Sequence, residues 1–63
     1  MDIIMTNSKM TFEAFMEKVD SYIEAICGFN SEDLPDFDYY DYWESGMTAK
    51  RTALESINNA RYY

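Results

Sequence analysis

From Met10 onward the apolar positions form two runs at helical spacing, separated by a tract of alternating rings and acids. In MTFEAFMEKVDSYIEAICG, Phe12, Phe15, Met16, Val19, Tyr22, Ile23, Ile26 and Cys27 recur at i, i+3, i+4 and i+7, the period of one helix face. Thr11 is a residue type that accepts hydrogen bonds from first-turn amides, and Glu13 sits where the helix dipole favours an acid. Met10 and Phe15 stand at the spacing of a hydrophobic staple, and Gly28 suits the left-handed conformation that ends a helix. The pattern predicts a first helix over residues 12–27.

The segment FNSEDLPD reads as a connection, with Ser31 capping a single turn through Leu34 that Pro35 stops. In DLPDFDYYDYWESG, Asp36 is placed to cap a second helix over 37–45, and Gly46 to close it. At ~100° per residue, Tyr39, Tyr40, Tyr42 and Trp43 gather on one arc with Phe37 at its edge, opposite Asp38, Asp41, Glu44 and Ser45. Thr48 caps a third helix over 49–61, whose apolar stripe is Ala49, Ala53, Leu54, Ile57 and Ala60. Its small alanines leave room for the rings of helix two. Residues 1–9, with the apolar knot Ile3, Ile4 and Met5, read as a flexible or extended arm before one helical domain, 10–63. Tyr62 and Tyr63 either pack back on the core or stay exposed. The predicted fold is all-α: a compact bundle of three short helices with a short N-terminal arm.

Charge sharpens the picture. Twelve acids against five bases give a net charge of −7 in 63 residues, which disfavours direct binding to nucleic acid or anionic membrane and favours basic protein surfaces. No apolar run is long enough for a membrane span or a signal peptide, so the chain reads as cytoplasmic. One cysteine and no histidine exclude an intramolecular disulfide and Cys/His zinc sites. A calcium loop starting at Asp36 fails, because its fifth, sixth and twelfth positions are Tyr40, Asp41 and Met47. Glu-x-x-His di-iron motifs are impossible, and Cys27 lies on the apolar edge of helix one without a base beside it. No catalytic residue, metal site or cofactor is expected, and the chain reads as a non-enzyme.

The acids themselves are patterned. Glu13, Glu17, Asp20 and Glu24 line one face of helix one, and Glu32, Asp33, Asp36, Asp38, Asp41 and Glu44 run without an intervening base. Repulsion within such a run opposes folding, and solubility alone does not require it. Asp36, Asp38, Asp41, Glu44 and Tyr42, with the helix-one stripe Glu13, Glu17, Asp20 and Glu24, are the candidate partner-binding residues. The partner is a basic protein surface, in particular the Lys/Arg groove of a nucleic-acid-binding protein, with tyrosine rings stacking on arginine. The alternative is a small homo-oligomer, such as a homodimer, whose charge serves solubility only.

The residues from 10 to about 56 resemble a family of short uncharacterised acidic proteins of phages and prophage-bearing bacteria. The resemblance rests on Phe15, Val19 and Ile23 leading to Cys27-Gly28, then Ser31, Asp33-Leu34-Pro35-Asp36, Tyr40, Tyr42, Glu44-Ser45-Gly46, and Thr48 to Ala53. It implies a phage setting and carries no activity with it. By analogy with other small acidic phage proteins, it suggests an inhibitor of a nucleic-acid-handling host defence complex, of the anti-CRISPR or DNA-mimic kind.

Overall fold

The computed structural model describes residues 10–61, and the predicted N-terminal arm and Tyr62–Tyr63 lie outside them. The all-α bundle is borne out. Helix α1 runs Phe12–Cys27, a single 3-10 turn covers Ser31–Asp33, α2 spans Tyr39–Glu44 and α3 spans Ala49–Arg61. The first and third helices begin where their caps require. The Thr11 side chain accepts from the Ala14 amide at 3.0 Å, and the Thr48 hydroxyl oxygen accepts from the Arg51 amide at 3.1 Å. At the other end of α1, Gly28 adopts φ 81°, and its amide donates to the Glu24 carbonyl, which satisfies one of the orphan acceptors of the last turn. Gly46, at φ 90°, turns the chain from α2 into α3.

Two expectations are corrected in the middle of the chain. Helix two is shorter than 37–45: Phe37 lies before it, Asp38 takes the capping position without a side-chain hydrogen bond, and the Tyr39 amide donates to the Phe37 carbonyl at 2.8 Å across a tight turn at Asp38, so Asp36 stands too far back to cap the helix. That turn accompanies the packing of the Phe37 ring on Tyr39 and Tyr42, at centroid distances of 5.2 and 4.9 Å. The short turn is capped by Asn30 and not by Ser31. The Asn30 side chain accepts from the Glu32 amide while Asp33 reaches back to the Asn30 amide.

The core is built chiefly where α1 meets α3, and α2 closes over both. Phe15, Val19 and Ile23 are fully buried against Ala49 and Ala53, with Met10, Phe12, Leu34, Tyr39 and Trp43 packed around them. The α3 stripe is rotated from its expected position. Thr52 and Ser56 are inside, while Leu54 is 43% exposed. These hydroxyls enter the core because both are satisfied there. Thr52 donates to the Thr48 carbonyl at 2.8 Å, and Ser56 bonds to the Tyr39 phenol. On the other side, Phe12, Tyr40 and Trp43 form a ring cluster with centroids 5.2–5.6 Å apart, and the Trp43 indole donates to the Met10 carbonyl at 2.9 Å. A six-residue helix is too short to persist on its own, so these rings fix α2 in place.

Tyr39 also gives the fold a pH dependence. Burial pushes its phenol above the ordinary 10.0, the Ser56 hydrogen bond opposes the rise, and the nearby Asp20 charge adds to it. A raised folded-state value means the folded chain holds this proton more tightly than the unfolded one. Its contribution is therefore complete below pH 10 and is lost as pH rises through the raised value. Thermal melts between pH 8 and 11 are expected to fall more steeply for the wild type than for Tyr39→Phe; parallel curves would contradict this role.

Candidate partner-binding site

The short α2 and the non-helical segment before it arrange the acidic tract. Because Phe37 folds down on Tyr39 and Tyr42, the carboxylates on either side of it turn outward. Asp36 and Asp38 are exposed and, with Phe37, Tyr42 and Asn59 of α3, line one shallow open concavity. Its lining combines the Phe37–Tyr42 ring pair, centroids 4.9 Å apart, with two acidic residues and one amide residue of α3. Among the candidate residues, Asp36, Asp38 and Tyr42 thus come together. Asp41 and Glu44 stay exposed on α2 beside them, so four acids lie within nine residues of chain.

The stripe on α1 divides. Glu13, Glu17 and Glu24 are exposed, as their spacing predicts. Asp20 is half-buried: its Oδ1 accepts the Ser31 amide proton at 2.7 Å, which ties α1 to the start of the 3-10 turn. This carboxylate has an internal task, and it is close enough to Tyr39 to act on the phenol. The period of the sequence places Asp20 correctly on its helix face. What the period omits is that the chain after Gly28 returns across that face.

Among the described residues, three bases, Lys50, Arg51 and Arg61, lie on α3, and Lys18 is exposed on α1 beside the acidic stripe. In α3, Arg51 pairs with Glu55 one turn on, Nε to Oε2 at 3.2 Å, an exposed contact of small energetic weight. Among the described residues no three of His, Cys, Asp or Glu gather in a metal-binding arrangement, and no helix is long and apolar enough to cross a membrane. The Cys27 thiol donates to the Ile23 carbonyl at 3.3 Å, within its own helix.

A small helical domain with an outward acidic and aromatic face is the class that fold and surface define. Its setting comes from its relatives. The chain is 32% identical over 50 residues to the Gene 87 protein of Mycobacterium phage L5, a match spanning 79% of this chain and 94% of that protein. The Gene 87 protein of Mycobacterium phage D29 is 30% identical over 50 residues, spanning 79% and 93%. The chain belongs to the family of these mycobacteriophage Gene 87 proteins. The phage setting implied by the residues from Met10 onward therefore holds. No family model matches the chain, and no solved structure does.

Proposed function

We propose that this phage protein is a non-enzymatic binding module that docks its acidic face on a Lys/Arg-rich surface of a nucleic-acid-handling host protein and blocks it. The observation that carries this reading is the concavity where Asp36 and Asp38 flank the Phe37–Tyr42 ring pair. A guanidinium seated there has both carboxylates and aromatic rings within the same concavity. Both contacts are ones that arginine makes better than lysine. Asp41, Glu44 and the exposed acids of α1 extend the negative field, which steers a basic partner and repels nucleic acid. In a phage setting the natural targets are host machines that grip nucleic acid, defence complexes among them. The protein then acts as a DNA mimic, in the manner of anti-CRISPR inhibitors.

A nona-arginine peptide and a nona-lysine peptide provide the test, titrated against the full chain by calorimetry at 20 and 150 mM salt. Arginine is expected to bind several-fold more tightly than lysine, both are expected to weaken with salt, and Tyr42→Ala is expected to erase the arginine preference. Equal binding of the two peptides, unaffected by Tyr42→Ala, would refute the arginine seat.

A further inference from the structure

Of the three α-helices, α2 alone has no fully buried side chain; α1 gives Phe15, Val19 and Ile23 to the interior, and α3 gives Thr52, Ala53 and Ser56. Tyr39 and Trp43 pack on the edge of the core without being enclosed by it. The attachments of α2 are the Tyr39 phenol on Ser56, the Trp43 indole on the Met10 carbonyl, and the Tyr40 and Trp43 rings against Phe12. The chain is pinned on both sides of it. Before it, the Asp20 carboxylate ties the Ser31 amide to α1, and after it the Thr48 hydroxyl caps α3. Between those two points stand Pro35 and Gly46, the latter at φ 90° with open space around it. Detachment of residues 35–46 therefore leaves the α1–α3 core packed.

Charge acts against closure. No lysine or arginine occurs between Lys18 and Lys50, and the segment carries Asp36, Asp38, Asp41 and Glu44, all exposed. Glu44 is also the last residue of α2, where the helix dipole disfavours an acid.

We infer that residues 35–46 are a charge-gated flap, which opens as one unit before the rest of the domain unfolds and is driven open by repulsion among its own acids. Elements with few buried contacts open sub-globally in this way. Salt, by screening that repulsion, closes the flap. Opening parts Asp36, Asp38 and Tyr42 from Asn59, so their concavity belongs to the closed state, and a cationic ligand seated in it stabilises closure. That last consequence rests on the proposed function; the opening does not, and its test uses no partner.

Trp43, the chain's one tryptophan, lies on the flap, whereas most helix lies in α1 and α3. Urea unfolding of the full chain is followed by Trp43 fluorescence and by far-UV circular dichroism, in about 20 mM and in about 1 M sodium chloride, where the Debye length is about 3 Å. At low salt the fluorescence transition is expected at lower urea than the helicity transition; at high salt the two are expected to converge. Hydrogen exchange of the unmodified chain adds a second measurement. The Tyr42 and Ser45 amides, bonded to the Asp38 and Asp41 carbonyls, are expected to be at least tenfold less protected than those of Val19 and Ile23. The Trp43 indole proton is expected to share their protection, and Glu44→Gln to narrow the gap at low salt. Coincident transitions at low salt, or equal protection of α1 and α2, overturn the inference. An indole proton as protected as Val19 also overturns it, since α2 then only frays, and a gap that salt leaves unchanged or widens removes the charge gate.

Discussion

Phe15→Ala is expected to leave the chain largely unfolded at 25 °C. Phe15 is fully buried at the centre of the α1–α3 contact, and it also stacks on Phe12 with ring centroids 6.5 Å apart. Removing a buried phenylalanine costs about 3–5 kcal/mol. At about 0.05–0.15 kcal/mol per residue, a 63-residue domain has only about 3–9 kcal/mol of stability in total. The loss is a large share of that, because Phe15 is the largest of the fully buried side chains in a core of few buried residues. Far-UV circular dichroism and a thermal melt check it. Lys18→Ala, at an exposed position of α1, is the control and should leave the melt near that of the wild type. A cooperative transition for Phe15→Ala close to the wild-type midpoint would show that the core lies elsewhere.

The second large effect is on binding. Replacing Asp38, Asp41 and Glu44 together by lysine changes the net charge from −7 to −7 + 6 = −1 and puts three cations on the exposed side of α2. All three side chains are exposed and none makes a capping bond in the fold, so the helices should persist. Stability should hold or rise, since like-charge repulsion along the tract is relieved. Affinity for a basic protein should fall at least tenfold, about 1.4 kcal/mol. The remaining binding should depend less on salt, because fewer exposed charges remain to be screened at a Debye length of about 10 Å in 0.1 M salt. Binding by surface plasmon resonance at two salt concentrations measures both quantities. Unchanged affinity in the triple variant would remove the acidic face from the account.

The limits of the sequence signal are visible at particular residues. Helices α1 and α3 are readable because their caps are local: Thr11, Gly28 and Thr48 act through their own neighbours, which the chain order displays. The start of α2 is not local. It is set by the tight turn at Asp38 that accompanies Phe37 packing forward onto Tyr39 and Tyr42, and no propensity records it. Thr52 and Ser56 escape a hydropathy pattern because a hydroxyl becomes a core group only once its partner is known, here the Thr48 carbonyl and the Tyr39 phenol. Conversely Tyr22, Ile26 and Leu54 fall on apolar stripes yet stay 40–51% exposed, because three short helices cannot cover the full width of each stripe. In the acidic tract, the division into ring face and acid face is legible from helical geometry. The concavity of Asp36 and Asp38 is not, since it depends on the turn before Tyr39 and on Asn59 from a distant part of the chain. Asp20 shows the converse: its place on the helix face is plain, and its bond to the Ser31 amide requires the return of the chain.

The claim at the centre of this account is that the acidic face engages a basic protein in place of nucleic acid. Capture from host lysate on the immobilised full chain tests it most directly, with the Asp38→Lys/Asp41→Lys/Glu44→Lys variant on a parallel support, elution by stepped salt, and competition by added duplex DNA. The account predicts a basic, nucleic-acid-binding protein that is held by the wild type alone, released as salt rises, and displaced by DNA. Retention of the same proteins by both chains, insensitive to salt and to DNA, would contradict it.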